Sequence, residues 1–174
     1  MGVAACIRSL RAVRRFQDVA VPDDVLRSVI DTARWTGSSK NRQPWHFILV
    51  RDRETLRWLA TCGEYAAPLA TAPLALVIAM EPDHPLTTLF DAGRVAQSLM
   101  LAAWDVGLGS CVATLTDQET AKALLETPDD VVIAAALSLG YPAPRAAEPG
   151  ERARSVLSRT GRKDLSELIH WERW

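Results

Sequence analysis

The eight residues Ser38-Ser39-Lys40-Asn41-Arg42-Gln43-Pro44-Trp45 hold two hydroxyls, two carboxamides and two cations. Asn41 and Gln43 each offer a donor and an acceptor. That suits the edge of a heteroaromatic ring carrying alternating C=O and N–H groups. The plainer reading is a polar loop in which Ser38, Ser39 and Asn41 only form turns. Arg8, Arg11, Arg14 and Arg15 form a second cluster. Taken alone it reads first as a solvated basic face, since basic runs specify little. Other chemistries find less support. Cys6, Cys62 and Cys111 lack metal-like or redox-like spacing, and Cys111 sits among apolar strand residues where a thiolate is disfavoured. His46, His84 and His170 are not spaced as metal ligands. Gly107-Leu108-Gly109 has Val112 where a dinucleotide fingerprint would place its third glycine.

Positioning these groups falls to an alternation of helices and strands. Residues 5–16 read as a basic helix, with Arg8, Arg11 and Arg15 on one face by i, i+3 and i+7 spacing. Pro22-Asp23-Asp24 opens a helix, with proline in the first turn and carboxylates against the positive end of its dipole. Val25, Leu26, Val29, Ile30 and Ala33 continue its period until Gly37. Residues 45–50 read as a strand, Asp52 as the cap of a short helix to about residue 62, and 63–73 as a loop. Residues 74–80 are uniformly apolar, as in a strand buried on both faces. The longest helix spans 87–106, with Leu89, Phe90, Val95, Leu99, Ala103 and Val106 as its apolar stripe and Gly107-Leu108-Gly109 as its stop. Residues 111–115 form a short strand. Thr116-Asp117-Gln118-Glu119 reads as a capping box opening a helix to about residue 126. A last strand covers 131–139. The class is α+β or α/β.

Beyond Pro142 the composition shifts, and 144–161 carries no apolar period, which reads as an extended surface arm. Leu168, Ile169, Trp171 and Trp174 restore apolar surface at the end. Free tryptophans leave large apolar faces in water, so both are expected to dock on this subunit or on a partner. The 174 residues suit one domain. A net charge of -1 offers no electrostatic case for nucleic acid. The odd cysteine count, a start without a long apolar core and the lack of a membrane-length run predict a soluble, cytoplasmic protein with no membrane partner.

Four segments, in this order, carry a resemblance to a known family. The first is Leu10-Arg11-Ala12-Val13-Arg14-Arg15-Phe16, similar to a pattern Arg-Arg-Ser-x-Arg-x-Phe, and the second is the 38–45 loop. The third is Asp91-Ala92-Gly93-Arg94-Val95-Ala96-Gln97-Ser98-Leu99, continuing to Gly107-Leu108-Gly109-Ser110-Cys111. The fourth is Leu139-Gly140-Tyr141-Pro142, followed by Gly161-Arg162-Lys163-Asp164-Leu165 and Ile169-His170-Trp171. Together they resemble the nitroreductase family of FMN-dependent oxidoreductases.

The resemblance implies one domain over 1–174 of α+β class: a three-layer α/β/α sandwich with a mixed, mainly antiparallel sheet, in an interlocked homodimer. Residues 143–174 would be a C-terminal arm packing on the partner subunit. It implies FMN as cofactor, NADH or NADPH as electron donor, and ping-pong hydride transfer through flavin N5 to a small organic acceptor such as a nitro compound or quinone. The cofactor would carry the chemistry, with no side chain as nucleophile or general base. By the same resemblance Arg11, Ala12, Arg162 and Lys163 fall at the phosphate, and Arg14 and Lys40 at the pyrimidine end of the ring. Ser38, Ser39, Asn41 and Gln43 fall at the ring from the other subunit. Gln97 either bonds the flavin or packs in its helix, and Thr114 and Leu115 present backbone N–H groups to N5. The chain departs from the pattern at Leu10 and Ala12, which lack a cation and a hydroxyl, and at Thr36-Gly37, where Ala-Pro is usual. Those departures keep open a member that binds flavin without turnover, or binds none.

Overall fold

A computed structural model describes residues 2–81, 84–144 and 162–174. At its centre is β2 (Leu74–Met80), all seven residues of which are buried. Alternation sends Leu74, Leu76, Ile78 and Met80 into one apolar cluster and Ala75, Val77 and Ala79 into the other. β1 (Trp45–Val50) pairs with it antiparallel, Trp45 opposite Met80 and Val50 opposite Ala75. On its other side lies β4 (Val132–Gly140), which in turn pairs with β3 (Gly109–Ala113). The order is β1-β2-β4-β3 and every ladder is antiparallel. The parallel element among the described residues is an isolated bridge between Ala12 and Ser110.

Helices cover both faces. α2 (Asp23–Ala33) and α4 (Pro85–Asp105) lay Leu26, Val29, Val95, Leu99 and Ala103 on the first cluster. α3 (Arg53–Leu59), the 3-10 turn Ala67–Thr71 and α5 (Gln118–Leu125) lay Leu56, Leu59, Leu69 and Ala121 on the second. This is the expected three-layer sandwich. Each fully buried leucine contributes about 2 kcal/mol, so the two clusters hold the layers together. No helix among the described residues is long and apolar enough to cross a membrane.

Some elements differ from their sequence reading. α1 is only Val3–Ser9, and residues 10–16 are not helical. The sheet takes that backbone instead: Val13 N–H donates to Ser110 O at 2.8 Å, and Phe16 bridges Pro142. Val13 is fully buried over Gly109, where an added Cβ would lie 2.7 Å from the valine Cβ. On α4, Val95, Leu99 and Ala103 are buried as expected, whereas Leu89, Phe90 and Val106 are exposed. The row facing inward is Thr88, Asp91, Ala92 and Val95, because Leu89 and Phe90 lie roughly a quarter-turn round the helix. α5 is capped by Asp117, whose carboxylate accepts from Thr120 N–H at 3.1 Å. Thr116 lies one residue before that cap, and its hydroxyl donates to Cys62 O. β3 begins two residues earlier than expected, since Gly109 pairs with Gly140 at the end of β4.

Most of the predicted arm, residues 145–161, lies outside the described residues. Residues 162–174 are exposed throughout, with a 3-10 turn at Leu165–Glu167. Trp171 and Trp174 are 86% and 101% exposed, so neither docks on this subunit.

Candidate cofactor site

The extended 10–16 segment determines where the arginines go. By bridging Ser110, Ala12 brings Arg14 to the β3 edge of the sheet. There Arg14 lines a cleft of about 680 Å³ with Glu64, Tyr65, Pro68, Cys111, Val112 and Thr114. The size matches small-molecule sites generally. Its walls are largely apolar, with one guanidinium and one carboxylate at hand. Burial pushes the Cys111 thiol up, with the neighbouring guanidinium of Arg14 acting the other way. The thiol therefore stays protonated at neutral pH and offers no nucleophile. Thr114 is exposed at the cleft, while Leu115 is buried and its carbonyl accepts from Gln118 Nε2 at 2.6 Å. Arg11 points elsewhere: its Nη1 donates to Arg8 O at 2.7 Å and Leu10 O at 2.8 Å, closing the C-terminus of α1.

The 38–43 loop sits against α4. Ser38 Oγ accepts from Gln43 N–H at 2.8 Å, and Ser39 N–H donates to Asp91 Oδ2 at 3.2 Å. Lys40, Asn41 and Gln43 all take left-handed backbone conformations, with φ of 51°, 55° and 51°. Side chains disfavour this region by about 1 kcal/mol or more per residue, so neighbouring contacts must hold the loop. Asn41 and Gln43 are exposed, and Gln43 Nε2 donates to Asn41 O at 3.4 Å. Gln97 is also exposed and lines a shallower cleft with Gly37, Leu89, Phe90 and Arg94. Arg162 and Lys163 are exposed and line neither cleft.

The structure thus gathers the predicted residues into two groups. Arg14 and Thr114 belong to the β3 edge. Ser38, Ser39, Asn41, Gln43 and Gln97 belong to the β1 edge and to α4. Three strand spacings separate those edges, about 14 Å. The α4 group also lies on the opposite face of the sheet from the 64–71 segment that walls the first cleft. One chain therefore holds the two groups of residues apart.

Sequence reasoning passed over Glu64, Tyr65, Asp91 and Arg94. Glu64 and Tyr65 carry no local signal, because the fold alone carries their loop to β3. Asp91 and Arg94 did leave one: with Ser98 they form a polar i, i+3, i+7 row along α4. His46 pairs with Glu81 at 3.0 Å on the surface. No group of three or more His, Cys, Asp or Glu able to hold a metal occurs among the described residues.

Comparison with known proteins bears on this geometry. The family profile described as the Nitroreductase family matches residues 7–71 and 61–141. A protein of Methanothermobacter thermautotrophicus, provisionally named NADH dehydrogenase/NAD(P)H nitroreductase, is 31% identical over 183 residues, covering 100% of this chain and 88% of its own. A Thermus thermophilus protein named NADH dehydrogenase is 27% identical over 170 residues, covering 76% of this chain and 83% of its own. Among solved structures, a provisionally assigned nitroreductase of Desulfovibrio desulfuricans in complex with FMN superposes with a TM-score of 0.80. It is 25% identical and covers 100% of this chain and 98% of that one.

Proposed function

The chain belongs to the nitroreductase family, and from that premise we propose that it is an FMN-dependent NAD(P)H oxidoreductase acting on a small nitro compound, quinone or similar acceptor. The observation that carries the reading is the cleft where Arg14 meets Thr114 at the edge of β3. Its residues fit the cofactor. Pro68, Val112 and Ala113 supply apolar wall for a planar ring, and Arg14 supplies a cation for its electron-rich pyrimidine edge. FMN, when bound, supplies ping-pong hydride transfer through N5. The chain's own residues bind, orient and exclude water. Arg14 would hold the pyrimidine end together with Lys40, and Thr114 and Leu115 would offer backbone N–H groups to the ring. Asn41 and Gln43 would read the ring edge, with Ser38 and Ser39 fixing their loop and Gln97 contributing from α4. Arg162 and Lys163 would hold the phosphate near Ala12, and Arg11 would join them only by leaving the carbonyls of Arg8 and Leu10 that it now caps.

Two half-sites on opposite edges call for a second copy of the chain, so the working unit is a homodimer with two equivalent sites. Residues 162–174, the described end of the arm, would pack on the partner. Among the described residues no strand pairs with the outer edge of β1, and an unpaired strand edge takes up added chain readily, so burial there would cover Trp171 and Trp174. Three free cysteines suit a reducing cytoplasm.

Spectroscopy of the purified protein tests the reading. The expected result is a yellow protein that bleaches anaerobically with NADH or NADPH. Colourless protein that fails to take up added FMN overturns it. The capping role of Arg11, with Leu10 and Ala12 beside it, favours a second reading: a family member that binds flavin without turnover or binds none. Protein that stays yellow but is reduced by neither nicotinamide supports that alternative.

A further inference from the structure

We propose that Asp91 and Arg94 of α4 form a clamp that holds the 38–43 loop in its left-handed shape and so positions the amides of Asn41 and Gln43. The proposal rests on reading that loop as the ring-contact loop. The Asp91 residue is only 4% exposed. A carboxylate that deep needs partners, and its two oxygens face different ones. Oδ2 accepts the backbone N–H of Ser39 at 3.2 Å, and Oδ1 lies 3.6 Å from Arg94 Nη1 on the next turn.

Arg94 in turn fills the space over Gly37, where an added Cβ would lie 2.9 Å from Nη2. Its guanidinium also stands 5.5 Å over the Phe90 ring. One turn further, Ser98 Oγ accepts from Thr36 Oγ1 at 2.7 Å. Residues 91, 94 and 98 thus grip residues 39, 37 and 36 in antiparallel order. The grip ends where the strained residues begin. Lys40, Asn41 and Gln43 would relax toward the ordinary backbone regions if the preceding residues were free. Asp91 and Arg94 need not touch the ligand. They are positioning residues.

Limited trypsin digestion without added FMN tests the clamp, because Lys40 and Arg42 lie exposed in the loop. Cleavage after Arg57 in α3 reports general opening of the fold. In Asp91→Ala, loop cleavage relative to Arg57 cleavage is expected to rise about tenfold, in line with one lost charge-assisted hydrogen bond. Asp91→Asn keeps an oxygen for Ser39 and gives up the charge that holds Arg94, so it should fall between. A ratio equal to the parent's in both variants overturns the proposal, including the case where a damaged fold speeds both cleavages alike.

FMN titration then separates the clamp from the function. The loosened variants should bind FMN about tenfold more weakly and shift its visible absorption band. If the loop loosens but the parent takes up no FMN, the clamp is upheld and the functional reading falls. If the parent binds FMN and both variants bind it with unchanged affinity and spectrum, the positioning role is wrong.

Discussion

Arg11 and Arg14 stand three residues apart and do different things. Arg11 turns back to cap α1, whereas Arg14 reaches the cleft at β3. Arg14→Ala should therefore weaken FMN binding about tenfold, the scale of one charge-assisted contact, with the melting temperature unchanged. Flavin fluorescence titration measures this, and an unaltered dissociation constant would remove Arg14 from the site. What brings Arg14 there is the packing of Val13 on Gly109. Gly109→Ala puts a methyl 2.7 Å from the valine Cβ, an overpacking expected to cost about 1–3 kcal/mol. Urea denaturation reads that loss directly. A midpoint equal to the parent's would mean that the segment yields without penalty.

At the scale of elements, caps and faces decide the outcome. α3 and α5 start at Asp52 and Asp117, each accepting a backbone N–H three residues on. The backbone N–H of Thr55, then its hydroxyl, hold the Asp52 carboxyl below its ordinary value of 3.8. Hydrogen bonds from Thr120 hold Asp117 below the same value. Both are more acidic folded than unfolded. Their stabilisation is thus complete above about pH 4 and lost as pH falls through the folded values. Asp52→Asn combined with Asp117→Asn should flatten the acid limb of the stability curve below pH 4, measured by circular dichroism. An acid limb identical to the parent's would show that other carboxylates govern it.

The same scale explains what the sequence left illegible. The period of α4 was plain at Val95, Leu99 and Ala103, yet Leu89 and Phe90 are exposed. Apolar character alone does not say which residues at a helix end still have something beneath them. The helical reading of residues 10–16 failed for a related cause: arginines at helical spacing are compatible with a helix, but the open edge of β3 offered the backbone better partners. The amide-rich character of the 38–45 loop was legible because it is local. Tyr65 was not, because only the fold carries it to Arg14.

For the whole molecule, the separation of the two residue groups is the governing observation. A site built across two copies predicts a sedimentation mass twice the 19.1 kDa of one chain, and FMN uptake that falls on dilution below the dimer dissociation constant. A monomer that binds FMN at full stoichiometry would refute the shared site. The exposed tryptophans at 171 and 174 belong to the same picture, since they would lose solvent on assembly.

Taken by itself, the sequence determined what periodicity, capping and composition can encode locally: the buried strand at 74–80, the helix from Asp23 to Ala33, the aspartate cap of α3 and the amide-rich loop before Trp45. Its four ordered segments also pointed to the family. Only the tertiary structure decided that residues 10–16 would join the sheet, that Arg14 and not Arg11 would reach the cleft, and that Asp91 would hold Ser39. Those outcomes depend on which distant backbone or side-chain groups remain unpaired once the layers have packed. No local spacing carries that information, because hydrogen-bonding demand in a folded core is settled by neighbours in space.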